Sequence, residues 1–371
     1  MIKCLHIVAL NIPFPPDFGG MIDSFYRIKS LAEAGIQIHL HCFEYGRKHS
    51  PELEKLCKSV NYYQRNTRFS SHLSLKPYTV ASRNSRKLSE NLCGDDHPIL
   101  FDGLHSTFWI SHPALSGRRK YVRVHNIEHL YYRTLARFEM NPARKLFFSL
   151  ESLKLRHYER ILKNADALLT ISDTDQEYFE SRYNNAELIT AFHPFENVIS
   201  AEGTGDYIIY HGDLSVSENI FIAEYLISRI FSSLPYKCVI AGKNPPASLV
   251  KMASAYENIR IVPNPDNFQM SELIRNAHIN LLFSMTSNGM KLKLLIALFS
   301  GRHCIANSNI LKGTLLSRAC HIEDSAGGII LKTNELMRMP FTTQMINDRK
   351  NILELYSNKF NTGRMLRLIF P

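Results

Sequence analysis

The strongest constraint on the fold is one pattern that recurs along the chain: a short apolar run, a loop, then apolar residues at helical spacing. Cys4 to Leu10 is such a run, and Asn11 to Gly20 is a loop rich in proline and glycine. Ile22, Phe25, Ile28, Leu31 and Ala32 then share one face of a helix over 21–34. Gly35 follows, where a left-handed residue ends a helix at little cost, and Ile36 to Phe43 alternates as a second strand. Further strands are expected at 61–65, 99–103, 121–124 and 167–171, with helices over 52–58 and 82–92. Ser172 and Asp173 read as the N-cap of another helix. A stretch rich in proline, asparagine and glycine, 191–205, reads as a linker, after which the alternation restarts. Strands are expected from 207, at 236–242, 259–262, 279–283 and 304–307, with helices over 218–231, 247–255 and 270–276 and a helical tail from Asp348 to Phe370. Such alternation closes into parallel sheets with helices on both faces. At 371 residues the chain divides into two α/β domains, 1–195 and 196–350. A final helix over 351–371 is free to cross back to the first domain.

Function concentrates in the segment Ile279 to Gly301. A buried strand runs into small polar residues and Gly289, and Leu292, Leu295, Ile296 and Phe299 then mark a helix from about 290. Strand, glycine loop and helix N-terminus together hold an anion, because free backbone N–H groups and the positive dipole end converge on it. Lys291 and Lys293 fall in the first turn, where a cation is unfavourable unless an anion is bound. A plain βα unit with solvated lysines is the alternative.

A net charge of +10 points to anionic partners. No recognition-helix or zinc-finger spacing favours nucleic acid. The seven cysteines are odd in number, without a CxxC pair, and several lie in apolar runs, as expected of a reducing cytoplasm. No apolar run approaches the about 20 residues of a membrane span. The expected location is cytoplasmic, with peripheral attachment to an anionic membrane left open. That alternative comes from 131–164, a basic amphipathic stretch that Pro142 divides. Packing on the sheet with a wet basic face is the preferred reading there.

Three other places draw attention. Gly19 and Gly20 stand where a loop meets a helix, and in doubly wound folds that end of the sheet binds ligands. His125, Glu128 and His129 follow the strand 121–124 at the same end, with His125 the best placed to meet a sugar hydroxyl or phosphate. The basic residues Arg65, Arg68, Lys76, Arg83, Arg86 and Lys87 read as a solvated face. Asp95 and Asp96 read as a turn, and no metal site is expected.

Pro15 to Gly20, Val124 to His129, Ala165 to Ser172, His211 to Asn219, Ile240 to Lys243 and Gly289 to Gly301 together resemble the GT-B glycosyltransferases, close to the large retaining family 4 of bacterial polysaccharide and lipopolysaccharide transferases. The resemblance implies two Rossmann-like doubly wound domains facing across a cleft, acceptor domain first and donor domain second. It implies transfer of a hexose or N-acetylhexosamine from a nucleotide-diphosphate sugar to a glycan or lipid-linked acceptor, with no metal and no cofactor beyond that donor. His125 would lie beside the donor sugar as the catalytic position. Gly19, Gly20, Gly212, Asp213, Lys243, Ser287, Asn288, Gly289, Met290, Lys291 and Lys293 would bind the donor. The sequence departs from the family at four places. Asn288 and Ile296 stand where the family has two glutamates, and Asp213 and Glu218 where it has an arginine and a lysine. These losses motivate a second reading, a non-catalytic nucleotide-sugar binder or scaffold on the same fold.

Overall fold

The computed structural model describes residues 3–17, 19–68, 71, 74–285 and 292–371. They fall into two units, 1–194 with 358–371, and 195–357. In the first, β1 (Cys4–Ala9), β2 (Gln37–Glu44), β3 (Ser59–Gln64), β4 (Ile99–Asp102), β5 (Lys120–Val124), β6 (Ala167–Thr170) and β7 (Ala186–Leu188) form one parallel sheet, ordered β3-β2-β1-β4-β5-β6-β7. Every residue of β1, β4, β5 and β6 is buried, because helices cover both faces. That is why these strands read as apolar runs and not as alternations. Strand β7, whose short Ala-Glu-Leu segment carries no such run, is an addition to the expected set.

In the second unit, β8 (Tyr207–His211), β9 (Lys237–Gly242), β10 (Ile259–Pro263), β11 (Ile279–Leu282), β12 (His303–Ala306) and β13 (His321–Ile322) form a parallel sheet ordered β10-β9-β8-β11-β12-β13. Its core joins Ile208, Tyr210, Ile240 and Leu281 from the strands to Ile222, Leu226 and Ile329 from the helices. In each sheet the strand order reverses once, between β1 and β4 and between β8 and β11. Doubly wound sheets bind ligands beyond the carboxyl ends of the strands at such a reversal.

Three expectations change. The helical tail is broken into a helix over Thr343–Leu353, a 3-10 turn over Glu354–Tyr356 and a second helix over Asn358–Ile369. The break has partners on both sides. Buried Arg349 donates to the carbonyls of Gly301 and Arg302 (both 2.6 Å), which fixes the earlier helix in the second unit. Asn358 exchanges hydrogen bonds with the backbone of His193, and Asn361 accepts from Thr190 N, which fixes the later helix in the first. The basic stretch 65–87 is not uniformly solvated either. Arg83 is buried, its Nε donating to Leu10 O at 2.8 Å, and burial with Arg65 nearby pulls its pKa down to about 9. Lastly, 131–164 divides at Pro142 as expected, into helices over Glu128–Phe138 and Pro142–Tyr158, the second capped by Asn141, but the reading of its surface changes. Its outward face is not simply basic and wet, as described below.

Candidate functional site

At the first reversal a charged network is sealed into the core. Asp102 ends β4, Arg123 lies within β5, and Asp23, Ser24 and Arg27 sit on the helix Gly19–Glu33 that returns from β1. All five are buried. Arg27 lies 2.5 Å from Asp23 and 2.7 Å from Asp102. Arg123 reaches Asp23 at 2.7 Å and also donates to the carbonyls of Ile189 and Thr190. Ser24 Oγ donates to Asp102 Oδ2 at 2.6 Å. Two carboxylates therefore face two guanidiniums, and the buried charges cancel, as they must to persist in a low dielectric. Burial alone would raise the pKa of Asp23. Arg123 and Arg27 outweigh it and hold the group at about 2. Asp102 is lowered further by the same contest, with Arg27 and His125 opposing its burial.

His125, the first residue beyond β5, is anchored on this network. Its Nε2 lies 2.8 Å from Asp102 Oδ1, and its Nδ1 lies 3.8 Å from Asp23, beyond hydrogen-bonding distance. The ring is thus oriented by one buried carboxylate, and its other nitrogen faces the second. Gly103, at φ 88, turns the chain out of β4, and a side chain there would approach the His125 ring. Gly19 opens the neighbouring helix, and a Cβ added to it would meet open space. Glu128 and His129 are placed differently. Burial raises the Glu128 carboxyl to about 8, with Asp175 adding to the effect. His129 is tied to Glu159 at 3.1 Å as a packing contact.

Asp23, Asp102 and His125 have ligand atoms close enough to surround a metal ion, as do Cys4, His39 and His97 toward the opposite ends of the strands. In the first group the arginines already neutralise both carboxylates, so a divalent cation would meet two guanidiniums. Asp95, expected to be part of a turn, pairs with His6 and Arg118.

At the second reversal, the loops after β8 and β11 are joined by a carboxylate. Glu218, in the first turn of the helix Ser217–Arg229, accepts from Met285 N at 2.9 Å and from Ser284 Oγ at 3.1 Å. Asn307 holds the same strand exit from the other side, accepting from Ser284 N and donating to Ser284 O. Lys293 reaches back from the helix Leu292–Ser300, donating to Phe283 O at 2.7 Å with its ammonium 5.1 Å from the Tyr210 ring. His211 is buried beside it, and burial together with Lys293 lowers its pKa to about 3. Asp213 is turned onto its own loop, accepting from Ser215 N and Oγ. Gly212 and Gly242 allow two backbones to touch: a Cβ on Gly242 would stand 1.9 Å from Gly212 O.

No family model matches the chain. An uncharacterized 44.6 kDa protein in the cps region of Klebsiella pneumoniae is 24% identical over 374 residues, which cover 96% of this chain and 93% of that one. Among solved structures, Anabaena HepE in complex with UDP and glucose matches at TM-score 0.66 and 11% identity, over 100% of this chain and 98% of that one. The G117R mutant of S. aureus TarM in complex with Fondaparinux, alpha-GlcNAc-glycerol and UDP matches at 0.69 and 12%, over 100% of both. A glycosyltransferase from Rickettsia africae matches at 0.63 and 10%, over 99% and 97%. The fold is that of the GT-B glycosyltransferases.

Within this GT-B fold the predicted residues distribute over both units. Gly19, Gly20 and His125 gather at the first reversal. Gly212, Asp213 and Lys293 gather at the second, and Lys243 follows the end of the neighbouring strand β9. Ser287, Asn288, Gly289, Met290 and Lys291 lie outside the described residues. Sequence reasoning missed Asp23, Arg27, Asp102 and Arg123, and also Asn307. A signal for two of them was present: an aspartate and an arginine in the otherwise apolar runs 99–102 and 121–124. A charge in a strand buried on both faces requires a partner of opposite sign.

Proposed function

We propose that this chain is a retaining glycosyltransferase that moves a hexose or N-acetylhexosamine from a nucleotide-diphosphate sugar to a glycan or lipid-linked acceptor, without a metal. The observation that carries the reading is the match over the whole chain to GT-B structures whose complexes contain UDP. Two local features support it. His125 is oriented by Asp102 just beyond the carboxyl end of β5, at the partly exposed edge of the network, where it can meet a donor sugar. Gly19 leaves the start of its helix open to close approach by an anion. In this mechanism the departing diphosphate gathers negative charge, and Lys293 with Lys291 stabilises it as it leaves. The acceptor attacks on the face from which the diphosphate departs, so no protein nucleophile is required.

The test is a donor panel of UDP-, GDP-, ADP- and dTDP-sugars, followed by transfer assays in which the anomeric configuration of the product is read by NMR. Lys291→Ala with Lys293→Ala is expected to weaken nucleotide-diphosphate binding by ~1–3 kcal/mol, as for charged hydrogen bonds. Unchanged affinity removes the lysines from the donor site. A second reading, a non-catalytic nucleotide-sugar binder, is favoured by one observation: the Glu218 carboxylate already occupies Met285 N–H, a backbone donor at the carboxyl end of β11. Donor binding with neither hydrolysis nor transfer to any acceptor selects that reading.

A further inference from the structure

The helix Pro142–Tyr158 turns Glu151 and Leu155 inward, with Phe147 and Phe148 half-buried against its neighbours. Its outward side carries Leu146, Leu150 and Leu153, at i, i+4 and i+7, exposed by 61%, 50% and 65%. Met140, just before the helix, is 91% exposed. Single exposed leucines are ordinary, but a row of them along one helix face marks a contact surface.

The charges around this row have one sign. The acidic residues of 128–163 are Glu128, Glu139, Glu151 and Glu159. Three are buried, and the Glu139 side chain is only 10% exposed, against Arg144. Arg133, Arg137, Lys145, Arg156 and Arg160 are all exposed. Among the described residues no ion pair engages Lys145, Arg156 or Arg160, which flank the leucines. No helix among the described residues is long and apolar enough to cross a membrane. A helix with leucines along its outer face and cations beside them suits the plane of a bilayer, apolar side chains in the acyl boundary and cations among anionic headgroups.

We propose that the outward face of Pro142–Tyr158, with Met140 and the cations of the preceding helix, docks this chain on an anionic lipid bilayer. The inference goes beyond the sugar-transfer reading and holds whether or not the chain is catalytic. Charge decides against the other occupants. A second copy related by a two-fold axis would set the same cations against one another. A nucleic acid would satisfy the cations and leave the leucine row in water.

The experiment is co-sedimentation of the full chain with phosphatidylcholine vesicles and with vesicles containing about one-third phosphatidylglycerol. Two variants are compared, Leu146→Ser with Leu150→Ser and Leu153→Ser, and Lys145→Glu with Arg156→Glu and Arg160→Glu. The expected result is binding to the anionic vesicles only, weakened at least ~10-fold by either variant and reduced by salt. Melting temperatures should be unchanged, since all six positions are exposed. Hydrogen exchange on the unmodified protein needs no variant and should slow over 142–158 when anionic vesicles are added. The proposal falls if anionic vesicles neither bind the chain nor slow that exchange. It also falls if the leucine variant binds like the unmodified protein, which would leave only bulk attraction by a chain of net charge +10. Loss of self-association in the leucine variant, with vesicle binding unchanged, would assign the face to a second copy instead.

Discussion

Arg27 and His125 meet the same carboxylate, yet substitution should show chiefly in stability at Arg27 and chiefly in activity at His125. Arg27 is fully buried between Asp23 and Asp102. Arg27→Met keeps most of its volume and leaves two buried carboxylates facing one remaining guanidinium. Breaking a buried pair in this way costs about 3–5 kcal/mol, far more than the pair itself contributes over an apolar replacement. Urea unfolding should show the loss in the transition of the first unit, and a shift below about 1 kcal/mol would mean that water or His125 already compensates the charge. His125 lies at the edge of the network and is partly exposed. His125→Ala removes one hydrogen bond to Asp102, a loss of about 1–3 kcal/mol in stability. If the transferase reading holds, it should lower kcat/KM by about 100-fold or more, because the group is lost where charge develops. A variant of ordinary activity would reduce His125 to a packing residue.

Among the elements, legibility followed burial. The strands buried on both faces, β1, β4, β5 and β6, appear in the sequence as apolar runs because both of their faces need apolar side chains. The two-residue β13 and the three-residue β7 are set by pairing with neighbours, and no local pattern announces them. The charged network was equally hidden in its helical half. Asp23 and Arg27, four residues apart on a helix, look like an ordinary surface pair until β4 and β5 supply their partners from 75 or more positions away along the chain. The departure at Glu218 was visible, but its partner was not, since Ser284 and Met285 lie 66 and 67 residues further on. That contact between two loops makes a prediction of its own. Glu218→Gln keeps an oxygen for Met285 N–H while removing a negative charge from the end of the second sheet. Neutralising one charge at several ångströms in a partly solvated site should tighten binding of UDP by about tenfold. Calorimetry at low and high salt would measure it, and an affinity that stays flat or falls would show that this carboxylate does not oppose the nucleotide.

Across the whole molecule, buried histidines govern the response to acid. Burial is the leading cause in lowering His6 and His303 to about 4, and His41, His105 and His211 to about 3. Asp95 opposes the shift at His6 without overcoming it. In the unfolded chain each would titrate near pH 6.5. Between that value and the folded one, the unfolded state binds a proton that the folded state refuses, so stability falls as pH falls. Each such group contributes a slope of up to about 1.4 kcal/mol per pH unit. Glu128 works in the other direction. Its carboxyl is raised to about 8, so its contribution is complete below the unfolded value of 4.5 and is lost as pH rises toward 8. One group of that kind does not offset five histidines. Asp23, held at about 2, and Asp102, lowered further, contribute stability that is present above pH about 4 and is lost only as pH falls through their folded values. Acid destabilisation should therefore begin below pH about 6.5, well before the carboxylates are protonated, and steepen again below pH about 4. Urea midpoints measured from pH 8 down to about 2 would trace this course. A midpoint that holds level from pH 7 to about 4.5 would mean that the buried imidazoles accept protons in the folded state almost as readily as in water.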